Sequence, residues 1–207
     1  MGYSRAGFTE IVGVDIKPQP RYPFTFVQMD ALEYGEAFGR SFDAVHASPT
    51  CERYSQLTPK RYRQAHGDYI VPTRALMRWM GIPYVIENVP SAKRLLVNPF
   101  MLCGSMFGLG IQRHRFFEVS WPLSGMVQGC DHVKAPVLIS GTHRRSWEPR
   151  YEYNVAACRE ASGIDWMTRK ELDKAIPPAY TEYIGRQLLS VLETGSKVAD
   201  VLRLVAK

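Results

Sequence analysis

The chain has 207 residues and a formal net charge of +6 at pH 7, with an isoelectric point near 9.2. Hydrophobic residues make up 45% and charged residues 22%, the balance of a globular protein large enough to bury one sizeable core. No apolar run reaches the roughly 18 residues of a membrane span and the start carries no secretory leader pattern, so membrane and exported classes are set aside and a cytoplasmic setting is expected.

Met1 to Glu10 reads as a helix fragment. Ile11-Val-Gly-Val-Asp-Ile16 follows, an apolar run that reaches an acid, and Phe24-Thr-Phe-Val-Gln-Met-Asp30 repeats the pattern. Phe42 to Ala47 is a third such run. A helical stretch from Val71 to Met80 leads to a fourth, Pro83-Tyr-Val-Ile-Glu-Asn88, and Gln112 to Val119 reads as a further strand. Short apolar runs separated by helices and ending on polar residues predict an α/β fold with a parallel sheet and crossover helices.

Residues 120–165 show scattered Trp, Pro, Gly and His without a clear period, which predicts a small irregular insert. The helical signal returns at Thr168-Arg-Lys-Glu171, a capping-box pattern. Ile176-Pro-Pro178 breaks the chain, and Tyr180 to Leu192 continues as a helix. The predicted organisation is an α/β domain over 1–120, an insert over 121–167, and a helical segment over 168–207 that returns to the first domain.

Basic residues gather at Lys60-Arg61-Tyr62-Arg63, Lys93-Arg94, Arg113-His114-Arg115 and His143-Arg144-Arg145. Such clusters suit a polyanion partner, although charge alone reads equally as solvated surface. The four cysteines, at 51, 103, 130 and 158, form no CxxC pair, which predicts reduced thiols and no disulfide framework. Cys130-x-His132 with His143 and Cys158 offers metal-ligand residue types. Their scattered spacing instead predicts buried thiols and surface histidines, and no metal.

The chemistry-bearing residues lie where the predicted strands end. Cys51 follows one of them in Ala47-Ser-Pro-Thr-Cys-Glu-Arg-Tyr-Ser55, at the sheet edge where open α/β folds keep their sites. Glu87 and Asn88 end another. Arg113 and Arg115 alternate, so on a period-two strand both face one side. A thiol, a carboxyl group and two guanidiniums at neighbouring strand ends suit nucleophilic attack on an electron-poor ring held near phosphate. Asp15 and Asp30 are placed to meet a nucleoside, or equally to cap the helices that follow them.

The order of these segments ("VGVDI", "MDAL", "ASPTCERYS", "YVIENV", "QRHRFF" and the late "AIPPAYTEYIG") resembles the DNA (cytosine-5)-methyltransferase family over residues 8–190. "LCGSMFGLG" is similar to small orphan members found in phage genomes. The resemblance implies a Rossmann-like sheet, S-adenosyl-L-methionine as cofactor, and DNA with a flipped cytosine as substrate. It further implies a monomer and, where a restriction system exists, a companion endonuclease. Cys51 would attack C6 of the base, Glu87 would hold N3 and the exocyclic amine, and Arg113 and Arg115 would hold the base and loop. Asp15, Ile16, Asp30, Ala31 and Pro49 would line the cofactor site. Ser48, Asn88, Arg53 and Ser55 would shape the substrate site, with residues 53–66 as a clamp.

Two departures from the family pattern are expected to matter. The family opens with a strand and a glycine-rich turn, whereas this chain starts at a segment matching the helix after that turn, so a sheet lacking its first strand is expected. Glu52 stands where the family has glutamine, and its charge is expected to raise the Cys51 pKa. A small insert implies short or relaxed target specificity. The same residues also read as a DNA-binding relative without catalysis, or as transfer of a different group to cytosine.

Overall fold

A computed structural model describes residues 1–55, 58–123, 125, 129–132, 137, 139 and 154–205, with side chains up to residue 195. It contains α1 (Gly2–Ala6), β1 (Val12–Asp15), β2 (Thr25–Gln28), α2 (Ala31–Phe38), β3 (Val45–Ala47), α3 (Lys60–Arg63), α4 (Ile70–Met80), β4 (Tyr84–Asn88), β5 (Phe100–Leu102), β6 (Arg115–Val119), α5 (Val155–Ser162), α6 (Arg169–Leu172) and α7 (Pro178–Val205). No helix among the described residues is long and apolar enough to cross a membrane.

The fold is mixed α/β, and the sheet is split in two. β1 and β2 pair in parallel as one sheet, and β3-β4-β6-β5 form the other. β3 and β4 run parallel, but β6 is antiparallel to both β4 and β5. The all-parallel expectation is therefore corrected. A 3-10 turn over Gly104–Phe107 follows β5, and the chain then returns antiparallel as β6; no crossover helix intervenes. A cavity of about 550 Å³ separates the two sheets, lined by Val12 to Asp15 on one side and by Ala44, Val45 and His46 on the other.

β4 is the centre of the larger sheet and is buried over its whole length. Its alternation sorts the two cores. Val85 faces a cluster with Leu102, Phe117, Tyr180, Ile184 and Leu188 under α7. Tyr84 and Ile86 face a second cluster with Ile70, Met77, Ala92 and Leu96 under α4. Removing a fully buried side chain of this kind, such as Ile86, costs about 2–5 kcal/mol. The α4 face also buries Glu118, whose carboxylate accepts from Arg74 at 2.7 and 2.6 Å and from the Val97 N–H at 2.8 Å.

Local signals set the helix ends. The Asp30 carboxylate accepts from the N–H groups of Leu32 and Glu33 and so caps α2. α4 closes on Gly81 at φ 73°, a left-handed conformation that glycine adopts without a Cβ penalty. At α6 the Glu171 carboxylate accepts from the Thr168 N–H and hydroxyl at 2.7 and 2.8 Å, as its capping-box pattern predicts. The stretch 120–165 is corrected in part. It contains α5, capped by Asn154 through the Ala157 N–H, and Cys158, Ala161 and Ile164 pack with Ile111 and Leu172.

Candidate active site

The site gathers at the ends of β3 and β4 and at the start of β6. Glu87 lies opposite Phe117 in the β4–β6 register. Arg115, two residues before Phe117, therefore shares its face of the sheet and sits diagonally from Glu87. The two meet in an ion pair at 3.0 Å, with Glu87 only 6% exposed. Burial raises the Glu87 pKa even against Arg115 and the Ser48 hydroxyl, which favour its charged form. Glu87 thus takes up a proton more readily than an exposed glutamate does.

Arg113 reaches the same place by a different route from the predicted one. β6 begins at Arg115, so Arg113 lies in the preceding loop, not on the strand. Its position comes from α7 and the segment before it. Arg113 donates to the Asp173 carbonyl at 2.5 Å, and the Tyr180 hydroxyl donates to the Arg113 carbonyl. Burial and the neighbouring Arg115 bring the Arg113 pKa down to about 10, so it stays cationic at neutral pH. Its Nε is buried without a hydrogen-bond partner among the described residues.

Cys51 stands in the turn after β3, half-buried. The turn is fastened from both sides. Asn88 donates from Nδ2 to the Pro49 carbonyl at 2.9 Å, and the Cys51 carbonyl accepts from the N–H groups of Tyr54 and Ser55. Burial raises the Cys51 pKa, Arg115 opposes it, and Glu87 and then Glu52 add to it. The expected effect of Glu52 has the right direction, but it is smaller than burial. Glu52 also pairs with His66 at 3.1 Å. Arg53 donates to the His66 carbonyl at 2.8 Å, which ties the two ends of the 53–66 segment together.

Sequence reasoning missed His46. Its Nδ1 meets the Tyr3 hydroxyl at 2.6 Å and its Nε2 lies 3.3 Å from the Ser48 hydroxyl. Burial brings its pKa down to about 4, so the ring is neutral. Tyr3 donating to Nδ1 leaves Nε2–H to donate to Ser48, whose hydroxyl in turn bonds Glu87. The available signal was the apolar run itself: a histidine inside an apolar strand needs partners for both ring nitrogens.

Of the residues expected at a cofactor site, Pro49 lies in the Cys51 turn after β3, whereas Asp15, Ile16, Asp30 and Ala31 lie at the ends of β1 and β2. The Asp15 carboxylate accepts from the Lys17 N–H at 2.8 Å and from Gln19 at 3.0 Å. Ile16 is 65% exposed, unusual for so large an apolar side chain. The Asp30 carboxylate is used as the α2 cap, and Ala31 opens that helix. No family model and no curated protein matches the chain.

Proposed function

We propose that this chain transfers a methyl group from S-adenosyl-L-methionine to C5 of a flipped cytosine in DNA, through a covalent bond from Cys51 to C6. The observation that carries the reading is the convergence of one thiol, one buried carboxyl group and two guanidiniums at adjoining strand ends. The Cys51 thiol gives up its proton to water, and Sγ adds to C6 while the ring takes the electron pair. Once C5 carries the methyl group, water takes the C5 proton, and the electron pair left there re-forms the C5–C6 double bond and expels Sγ. Glu87, kept prone to protonation by burial, donates to N3 as charge develops there and accepts from the exocyclic amine. Arg115 holds Glu87 in place, and the unpaired Nε–H of Arg113 suits the base carbonyl or a phosphate.

The cofactor supplies an electrophilic methyl group when bound. The residues at the ends of β1 and β2 suit its adenosine half. Asp15 can exchange its Gln19 partner for a ribose diol, and exposed Ile16 offers an apolar surface to the adenine ring. The split between β1 and β3 supports a Rossmann-like sheet in which these residues do not supply one strand. The positive charge supports a DNA partner.

The test is mass spectrometry of nucleosides from host DNA after expression of this chain, with Cys51→Ala in parallel. 5-Methylcytosine in the parent and none in the variant is the expected outcome. A different cytosine adduct would replace methyl with another transferred group. DNA binding that ignores both S-adenosylmethionine and Cys51→Ala, with no modified base, would make the chain a binding protein.

A further inference from the structure

A second cluster of reactive side chains adjoins the arginine pair through His114. Cys103 follows β5, His114 sits between Arg113 and Arg115, and Cys130 and His132 come from the insert. Their ligand atoms all lie within 4.8 Å of one another. Cys103 Sγ is 3.3 Å from His132 Nε2, the two Nε2 atoms are 3.2 Å apart, and Cys130 Sγ is 3.8 Å from His114 Nε2.

We propose that Cys103, His114, Cys130 and His132 form a tetrahedral zinc site that fastens the insert to the segment bearing Arg113 and Arg115. Three arguments carry this. Zinc bonds of roughly 2.0–2.1 Å to nitrogen and about 2.3 Å to sulfur give tetrahedron edges of about 3.3 Å for N–N and about 3.6 Å for N–S. The separations of 3.2, 3.3 and 3.8 Å lie close to those edges, and all four ligand atoms are within 4.8 Å of one another. Hydrogen bonding alone does not satisfy the cluster. Each neutral Nε2 carries one hydrogen or one lone pair, yet that of His132 faces both Cys103 and His114, and that of His114 faces both His132 and Cys130. Two thiolates and two imidazoles around one dication satisfy all four groups at once.

The surroundings also brace the ligands. The Ser105 hydroxyl donates to Cys103 Sγ at 3.4 Å and accepts from the Asp131 N–H at 3.2 Å, joining the β5 side of the cluster to the insert. Gly104 lets this turn lie directly on the 111–114 segment, since a Cβ there would come within 2.2 Å of the Ile111 carbonyl. Two cysteines and two histidines fill a tetrahedral shell with no open position, the arrangement of a structural site and not of a catalytic one. The His114 carbonyl accepts from Arg115 at 2.9 Å, so the metal would position the arginine pair. Of the ligand types considered from sequence, Cys158 lies elsewhere, in the cluster under α5, and His143 falls outside the described residues.

The experiment uses the full chain, expressed in zinc-supplemented medium, dialysed and analysed for metal, with Co²⁺ then added alone to stripped protein. About one zinc per chain and the thiolate-to-cobalt charge-transfer and d–d bands of a tetrahedral Cys₂His₂ site are expected. His132→Ala, an exposed position, and Cys130→Ser should each weaken zinc binding at least tenfold while circular dichroism shows a folded chain; Cys158→Ser should leave it unchanged. Wild-type protein that binds neither metal stoichiometrically, or folded Cys130→Ser/His132→Ala protein that keeps its zinc, overturns the proposal. Metal content is read without any assay of methyl transfer, so this outcome and that of the proposed activity are independent.

Discussion

Asn88 and Pro49 are joined by a 2.9 Å hydrogen bond from the amide Nδ2 to the main-chain carbonyl. The end of β4 thereby holds the turn that presents Cys51 two residues later. Asn88 is only 1% exposed, and its Oδ1 accepts from the Val89 N–H, so both ends of the amide are used.

Asn88→Ala should cost about 1–3 kcal/mol of stability, because the Pro49 carbonyl and the Val89 N–H both lose a partner. Urea unfolding measures this directly. Asn88→Asp restores the acceptor but sets a carboxylate against the Pro49 carbonyl, and should be no better than alanine. A loss below half a kcal/mol for both variants would mean that the turn is held by other contacts.

The Cys51 thiol, raised by burial above its ordinary pKa, should react with iodoacetamide at a rate still climbing at pH 9. Glu87→Gln removes a negative charge and leaves Arg115 acting alone, so the alkylation profile should move to lower pH. Glu52→Gln should move it the same way by less, since Glu52 is the weaker influence. Peptide mapping separates Cys51 from buried Cys103 and Cys158. A larger shift from Glu52→Gln than from Glu87→Gln would reverse the ranking.

His46 should make the fold sensitive to mild acid. Its folded pKa of about 4 lies below the roughly 6.5 of an exposed histidine. The unfolded chain therefore takes up a proton first as pH falls. The stability contribution of neutral His46 is complete above about pH 6.5 and is lost progressively down to about pH 4, with a slope of at most about 1.4 kcal/mol per pH unit. Wild type and His46→Gln, unfolded in urea at several pH values across this window, should differ in slope, with the variant flatter. Parallel slopes would place the acid sensitivity elsewhere.

The positions of Cys51, Glu87 and Asn88 were legible in the sequence, because a short continuous apolar run ending on polar residues marks both the end of a strand and the turn beyond it. The capping box at Thr168 and Glu171 and the helix over 71–80 were legible for the same reason: their signals are local. The three-residue β5 carries too few residues to show a period. The orientation of β6 depends on its pairing with β4 and β5, which no window of sequence reports. Arg113 was expected on a strand, yet it is held by the Asp173 carbonyl and Tyr180, some 60 residues away in sequence.

The sequence by itself determined the continuous apolar run that is buried on both faces as β4, the caps that start α2 and α6, and the residue types available at each strand end. Those properties arise from neighbours along the chain and from the fixed geometry of helix and strand. Only the tertiary structure decided that Glu87 and Arg115 face each other, that His46 stands neutral between Tyr3 and Ser48, and that Cys103 and His114 meet Cys130 and His132. Each of these depends on distances between segments far apart in sequence, set by which faces the two cores bury and not by spacing along the chain.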